Sequence, residues 1–144
     1  MKVLFDTSVL IAGVIESHPA HERAFAWFRR VTDREVELFV AAHSLAESYA
    51  ILTRLPVSPK ISTTLALRLL RENIEAVAHI VPLVEKEYLQ VLVNMAELEL
   101  AGGVVYDAII AAVAQKSNCD ALLTLNRRDF IRVWPEGKDH ILEP

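Results

Sequence analysis

Strand-type runs and helical segments alternate along nearly the whole chain, and this alternation limits the fold more than any other feature. Lys2–Phe5, Leu38–Ala42, Val77–Val81 and Ala121–Leu125 are short apolar runs of strand type, and a short fifth strand is expected near Val133. Between them lie segments with apolar residues at helical spacing. These are Thr7–Ile15, a stretch opened by Pro19 with Ala24, Phe25, Trp27, Phe28 and Val31, then Ser44–Leu55, Ile61–Leu70, Glu85–Leu100 and Tyr106–Ser117. Such alternation predicts an α/β domain with a mainly parallel sheet, because parallel neighbours need a crossover connection, usually a helix. Residues 107–114 are apolar almost all round, as in a helix buried against a sheet. The clearest break, Leu55-Pro56-Val57-Ser58-Pro59, is too short to separate two cores, so residues 1–144 are expected to form one domain.

Apolar residues make up 53% of the chain against a formal net charge of −4, so a buried core is expected in place of disorder. Cys119 is the only cysteine, which excludes a disulfide scaffold, and it reads as a small buried thiol. Neither G-x-G-x-x-G nor G-x-x-x-x-G-K-[ST] occurs, so no glycine loop cradles a nucleotide phosphate. The apolar start Met1–Ile15 is broken by Asp6 and has no small-residue cleavage site after it, unlike a signal peptide. No apolar run approaches the ~20 residues that cross a bilayer. A cytoplasmic protein without membrane contact is expected. Its mild acidity gives a polyanion no general attraction, so a nucleic-acid partner would need a local basic surface or a bound cation.

The carboxylates fall at element boundaries. Asp6 ends the first strand, Glu47 lies in the first turn of the third helix, Asp107 starts the buried helix, and Asn126 and Asp129 follow the fourth strand. In an open parallel sheet the carboxyl ends of the strands share one edge with the helix starts, and ligands bind there. Three or four carboxylates in one crevice would repel at neutral pH. A hard divalent cation, Mg²⁺ or Mn²⁺, relieves that repulsion through oxygen ligands. Each acid also has a local explanation. Asp6 can cap the helix after it, and Ser44-x-x-Glu47 matches a capping box with Glu47 returning to the Ser44 N–H. Asp107 can favour its helix start through the dipole, and Asp129 can cap a short turn. Capping accounts for acids at helix starts but not for their sharing one edge.

His18-Pro19-Ala20-His21 reads as a helix entry and His43 as a structural residue. Arg127 and Arg128, beside the expected crevice, would supply phosphate contacts if a nucleic acid binds there. Arg23, Arg29 and Arg30 read as a solvated face. The apolar stripes of Ala24–Val31 and Ile61–Leu70 are candidate partner surfaces as well as core.

Five segments then fall in a familiar order: Val3-Leu4-Phe5-Asp6-Thr7-Ser8; His18-Pro19-Ala20-His21 leading into Ala26-Trp27-Phe28; Ser44-Leu45-Ala46-Glu47; Tyr106-Asp107-Ala108; and Leu123-Thr124-Leu125-Asn126-Arg127-Arg128-Asp129-Phe130. Spanning nearly the whole chain, the set resembles the PIN-domain ribonucleases, specifically the VapC-type toxins of prokaryotic toxin–antitoxin pairs. The resemblance implies a parallel sheet of order 3-2-1-4-5, a Mg²⁺- or Mn²⁺-dependent endoribonuclease, a homodimer or larger assembly, and an antitoxin that blocks the acidic site. It places Asp6, Glu47 and Asp107 at metal-binding carboxylate positions. Where the family's T-x-D-x-x-F pattern has its fourth acid this chain has Asn126, which bears on a second cation. Asp129 is the nearest carboxylate that can replace or supplement it.

No Ser/His or Cys/His nucleophile pattern stands out. Hydrolysis of an RNA phosphodiester would therefore draw on a cation held by Asp6 and Asp107, with Glu47 orienting or deprotonating the attacking water. A haloacid-dehalogenase-type phosphatase would need a second Asp where Ser8 stands. A response-regulator receiver would need a paired acid near the first strand and a late Lys where Arg127-Arg128 stands. The remaining alternative is a PIN-like module that binds RNA or protein without cutting, and Asn126 keeps it open.

Overall fold

Side chains alternate across each strand, and here they feed two cores. The computed structural model describes residues 1–144. Val3 and Phe5 of β1 (Lys2–Phe5), Leu38 and Val40 of β2 (Glu37–Ala41) and Ala121 and Leu123 of β4 (Ala121–Leu123) face one core. That core is closed by α1 (Thr7–Val14), α2 (His21–Thr32), α3 (Ala42–Leu52), α4 (Thr63–Leu70) and a π-helical turn, Arg71–Glu75. Leu4, Phe39, Ala41, Leu122 and Ile141 face the other, closed by α5 (Glu85–Glu97), α6 (Val104–Lys116) and α7 (Arg127–Val133). The sheet is completed by β3 (His79–Val81) and β5 (Ile141–Leu142), in the order β3-β2-β1-β4-β5 with every pair parallel. This is the α/β fold and the 3-2-1-4-5 order that the sequence and the resemblance led us to expect. No helix is long and apolar enough to cross a membrane.

Because all strands run the same way, their carboxyl ends share one edge. The strand order reverses between β1 and β4, the position where α/β sheets open a crevice. Asp6 follows β1 directly and Thr124 follows β4, so both stand at that reversal.

Two sequence expectations are corrected. The segment around Val133 is helical, because Phe130 packs into the α6 side of the core while Ile141 pairs with Leu122 as the fifth strand. The Ser44–Glu47 capping box does not form. β2 runs into α3 without a loop, so the helix starts at Ala42, before Ser44; this puts Glu47 in the second turn, not the first as expected, and leaves the Ser44 hydroxyl buried without a partner. By contrast, Asp6 does cap α1, accepting from the Ser8 N–H at 3.2 Å.

The α1–α2 contact depends on one glycine. A Cβ on Gly13 would lie 2.2 Å from Phe28 Cε2, and Phe28 is itself held edge-on against Phe5 at 5.3 Å between ring centroids. Alanine gains up to about 1 kcal/mol of helix propensity over glycine, whereas overpacking costs about 1–3 kcal/mol. A contact this close sits at the upper end of that cost, so Gly13→Ala should lose about 2 kcal/mol net. Urea unfolding checks this: the midpoint should fall at unchanged slope, and an unchanged midpoint would refute the clash.

Candidate functional site

The edge at the strand reversal is bound together through Asp6. Its main-chain N–H donates to Leu123 O at 3.0 Å. Its Oδ2 accepts from Ser8 Oγ at 2.7 Å and from the Thr124 hydroxyl, 118 residues away. Ser8 Oγ in turn accepts from the Leu125 N–H, and Thr124 Oγ1 from the Asn126 N–H. Asp6 is only 4% exposed. Burial raises its pKa; the Thr124 and Ser8 hydrogen bonds oppose that shift, and Glu47 adds to it.

Asp107 lies half-buried in the first turn of α6. Its pKa is pushed up to about 7, first by burial and then by the charges of Asp6, Asp129 and Glu47, while Arg132 pulls the other way. Asp107 therefore lies within the electrostatic reach of three other acids, of which Asp6 comes from the distant start of α1, Glu47 from α3 and Asp129 from α7. A titratable group perturbed in this way, at the edge where the strand order reverses, is a candidate for a functional centre.

Each remaining acid is tied to a local donor. Glu47 Oε2 lies 3.3 Å from His43 Nε2, one turn back on α3. Asp129 accepts from Asn126 Nδ2 at 2.9 Å and from Arg132 at 3.1 Å, and these bonds lower its pKa. Asn126, at the position where an acid was expected, thus grips the nearest acid. Arg127 donates to the carbonyls of Ile141 and Lys138 and so fixes the last strand, whereas Arg128 is exposed. Cys119 is half-buried with its thiol pushed up to about 11 by burial, which keeps it inert. His18 and His21 serve the entry to α2: His18 Nδ1 accepts from the Ala20 N–H, and His21 Nδ1 lies 2.8 Å from Ala12 O.

The donors suit a hard cation, being carboxylate and hydroxyl oxygens crowded by like charge. Thr7, Ser44 and Ser48, on the two helices that carry Asp6 and Glu47, keep buried hydroxyls without hydrogen-bond partners. No three Asp, Glu, His or Cys side chains form a ready cation cage, with Asp6, Glu47 and Asp129 each turned to a local partner. The fit is one of chemistry and place, and side-chain rotation would have to complete it.

Several participants have no strong signal in sequence. His43 stacks on Tyr106 at 5.1 Å and 7° between ring planes, joining the starts of α3 and α6. Glu47 and Arg54 line one groove of about 370 Å³ with Ala50, Ile51, Leu55 and Pro56. The i, i+4 spacing of His43 and Glu47 was a legible hint of their pairing. The stacking and the groove depend on tertiary packing.

Comparison with known proteins bears on the family and the fold. The family described as PIN domain matches residues 3–134. Ribonuclease VapC27 of Mycobacterium tuberculosis (strain ATCC 25618 / H37Rv) is 36% identical over 115 residues, 80% of this chain and 78% of that protein. Among solved structures, VapBC2 from Rickettsia felis, bound to a DNA fragment from its promoter, aligns with TM-score 0.68 at 15% identity over 100% of this chain and 99% of that one. Mycobacterium tuberculosis VapC20, a sarcin-ricin loop cleaving toxin, aligns with TM-score 0.66 at 16% identity over 83% and 86%.

Proposed function

The chain belongs to the PIN domain family, and on that premise we propose that it is the ribonuclease toxin of a toxin–antitoxin pair, cutting RNA with the help of Mg²⁺ or Mn²⁺. The observation that carries the reading is Asp6, buried at the strand-order reversal and held by Ser8 and Thr124, with Asp107 pushed up to about 7 by burial and by Asp6, Asp129 and Glu47. Carboxylates that crowd one another at neutral pH gain most from a cation.

Asp6 and Asp107 would hold that cation, with Asp129 at the rim and Glu47 beside them. When bound, it supplies Lewis acidity toward a water and a phosphate oxygen and offsets the site's charge against a polyanion. Thr124 and Ser8 fix the orientation of the Asp6 carboxylate. Glu47 receives the proton of the attacking water. Arg128, and Arg54 along the α3 groove, receive neighbouring phosphates, while Arg127 mainly holds the fold.

An antitoxin and a second copy of the chain would cover exposed apolar side chains. On α2 most of the stripe is core, since Trp27, Phe28 and Val31 pack inward and only Phe25 stays 44% exposed. Leu65 and Leu67 of α4 are exposed, as are Tyr88, Leu89, Leu92 and Val93 of α5. A cytoplasmic place follows from an RNA target.

The test is incubation with a mixed tRNA and rRNA pool in Mg²⁺ or Mn²⁺, followed by end mapping. Discrete cuts that leave 5′-phosphates and disappear with EDTA are expected, and no cleavage above the Asp6→Asn background would overturn the reading. If the rim carboxylate assists, Asp129→Asn should weaken cation binding by about tenfold and Asn126→Asp should strengthen it, as read by cation titration. No change in either variant would remove Asp129 from the site.

A further inference from the structure

We propose that Tyr106, backed by His43, is a stacking platform for one nucleobase of a single-stranded RNA segment beside the acidic centre. The inference rests on the ribonuclease reading and adds to it a subsite for a base. Tyr106 directly precedes Asp107 in the first turn of α6. His43 lies parallel to it at 5.1 Å and 7°, and His43 is held at its edge by Glu47 Oε2, 3.3 Å from Nε2. One face of the Tyr106 ring is thus covered by a ring whose orientation is fixed, yet Tyr106 remains 49% exposed. An aromatic group immobilised by a neighbour, open to solvent and adjacent to the acidic centre offers a preorganised face with little ordering cost on binding. Proteins recognise unpaired RNA by stacking splayed bases on such rings, and every base has a π face. A base seated there would place its own phosphate close to Asp107 and Glu47.

The alternative is that the stacked pair only joins α3 to α6. Asp6→Asn protein separates binding from cutting. In that background, fluorescence anisotropy with short labelled RNA should show about tenfold weaker binding when one abasic nucleotide is walked into the subsite position. Tyr106→Leu should weaken intact RNA by a similar factor and no longer distinguish abasic from intact RNA. Tyr106→Phe, which keeps the ring, should restore the distinction. A folded Tyr106→Leu variant that binds RNA unchanged, or that still discriminates against abasic RNA, would overturn the proposal. Should Tyr106→Leu fail to fold, ultraviolet crosslinking of 4-thiouridine RNA to the unsubstituted protein decides instead. A crosslink on the Tyr106 peptide is expected, and crosslinks only elsewhere would overturn the platform. Failure of the ribonuclease reading shows separately, as absent cleavage by the unsubstituted protein in Mn²⁺.

Discussion

Asp6→Asn should lower RNA cleavage by about a thousandfold while leaving the fold intact, the scale on which removing one well-placed charge-stabilising group acts. Asparagine caps a helix about as well as aspartate, so the bond from the Ser8 N–H survives. Ser8 and Thr124 donate to the carboxylate in the native protein, and their hydroxyls can rotate to accept from the new amide. What disappears is the negative charge at a position that is 4% exposed and faces Glu47 and Asp107. The variant should melt no lower than the parent at neutral pH, because a buried charge has gone from a crowded site. Cleavage within tenfold of the parent, on substrates mapped as above, would remove Asp6 from the chemistry.

The second large effect is on stability. In EDTA the melting temperature should fall as pH rises from about 4 to about 7. An unfolded Asp loses its proton near 3.8, but Asp107 in the folded protein holds its own up to about 7, so over that interval the folded state binds more protons. Stability must then decline with rising pH. Asp129 acts in a separate window with the opposite sign: its lowered pKa contributes stability that is lost as pH falls below the usual carboxylate range. Asp107→Asn should flatten the decline between pH 4 and 7. Mn²⁺ at a hundredfold excess over its Kd should add about 2.7 kcal/mol, or roughly 5–10 °C for a chain of this size. That gain should grow with pH, since cation and proton compete for the same carboxyl groups. Identical melting in EDTA and millimolar Mn²⁺ at pH 8 would count against the cation site.

Asp6 shows what was readable in advance. It is the first polar residue after an apolar run, and the structure places it at the end of β1 as a helix cap. The same local reasoning failed at Ser44, because no local rule registers that β2 runs on into α3 without a loop. It failed again near Val133, where Phe130 and Ile131 fit either period and only packing against α6 chose the helix. Asn126 was visible as a departure from the expected acid. Its bond to Asp129, which offers the site a carboxylate held by a neighbour, was not.

The sequence by itself determined the alternation of strands and helices, the two-sided apolar character of the strands, and the positions of acids at strand ends and helix starts. All of these are periodic or nearest-neighbour properties, set by backbone geometry and by which residues tolerate water. Only the tertiary structure decided that Asp6, Glu47 and Asp129 all act on Asp107, that Thr124 reaches Asp6 across 118 residues, and that His43 lies flat on Tyr106. Those pairings depend on the order in which crossovers lay the strands side by side and on which polar groups are cut off from water together. Neither quantity belongs to any short stretch of chain.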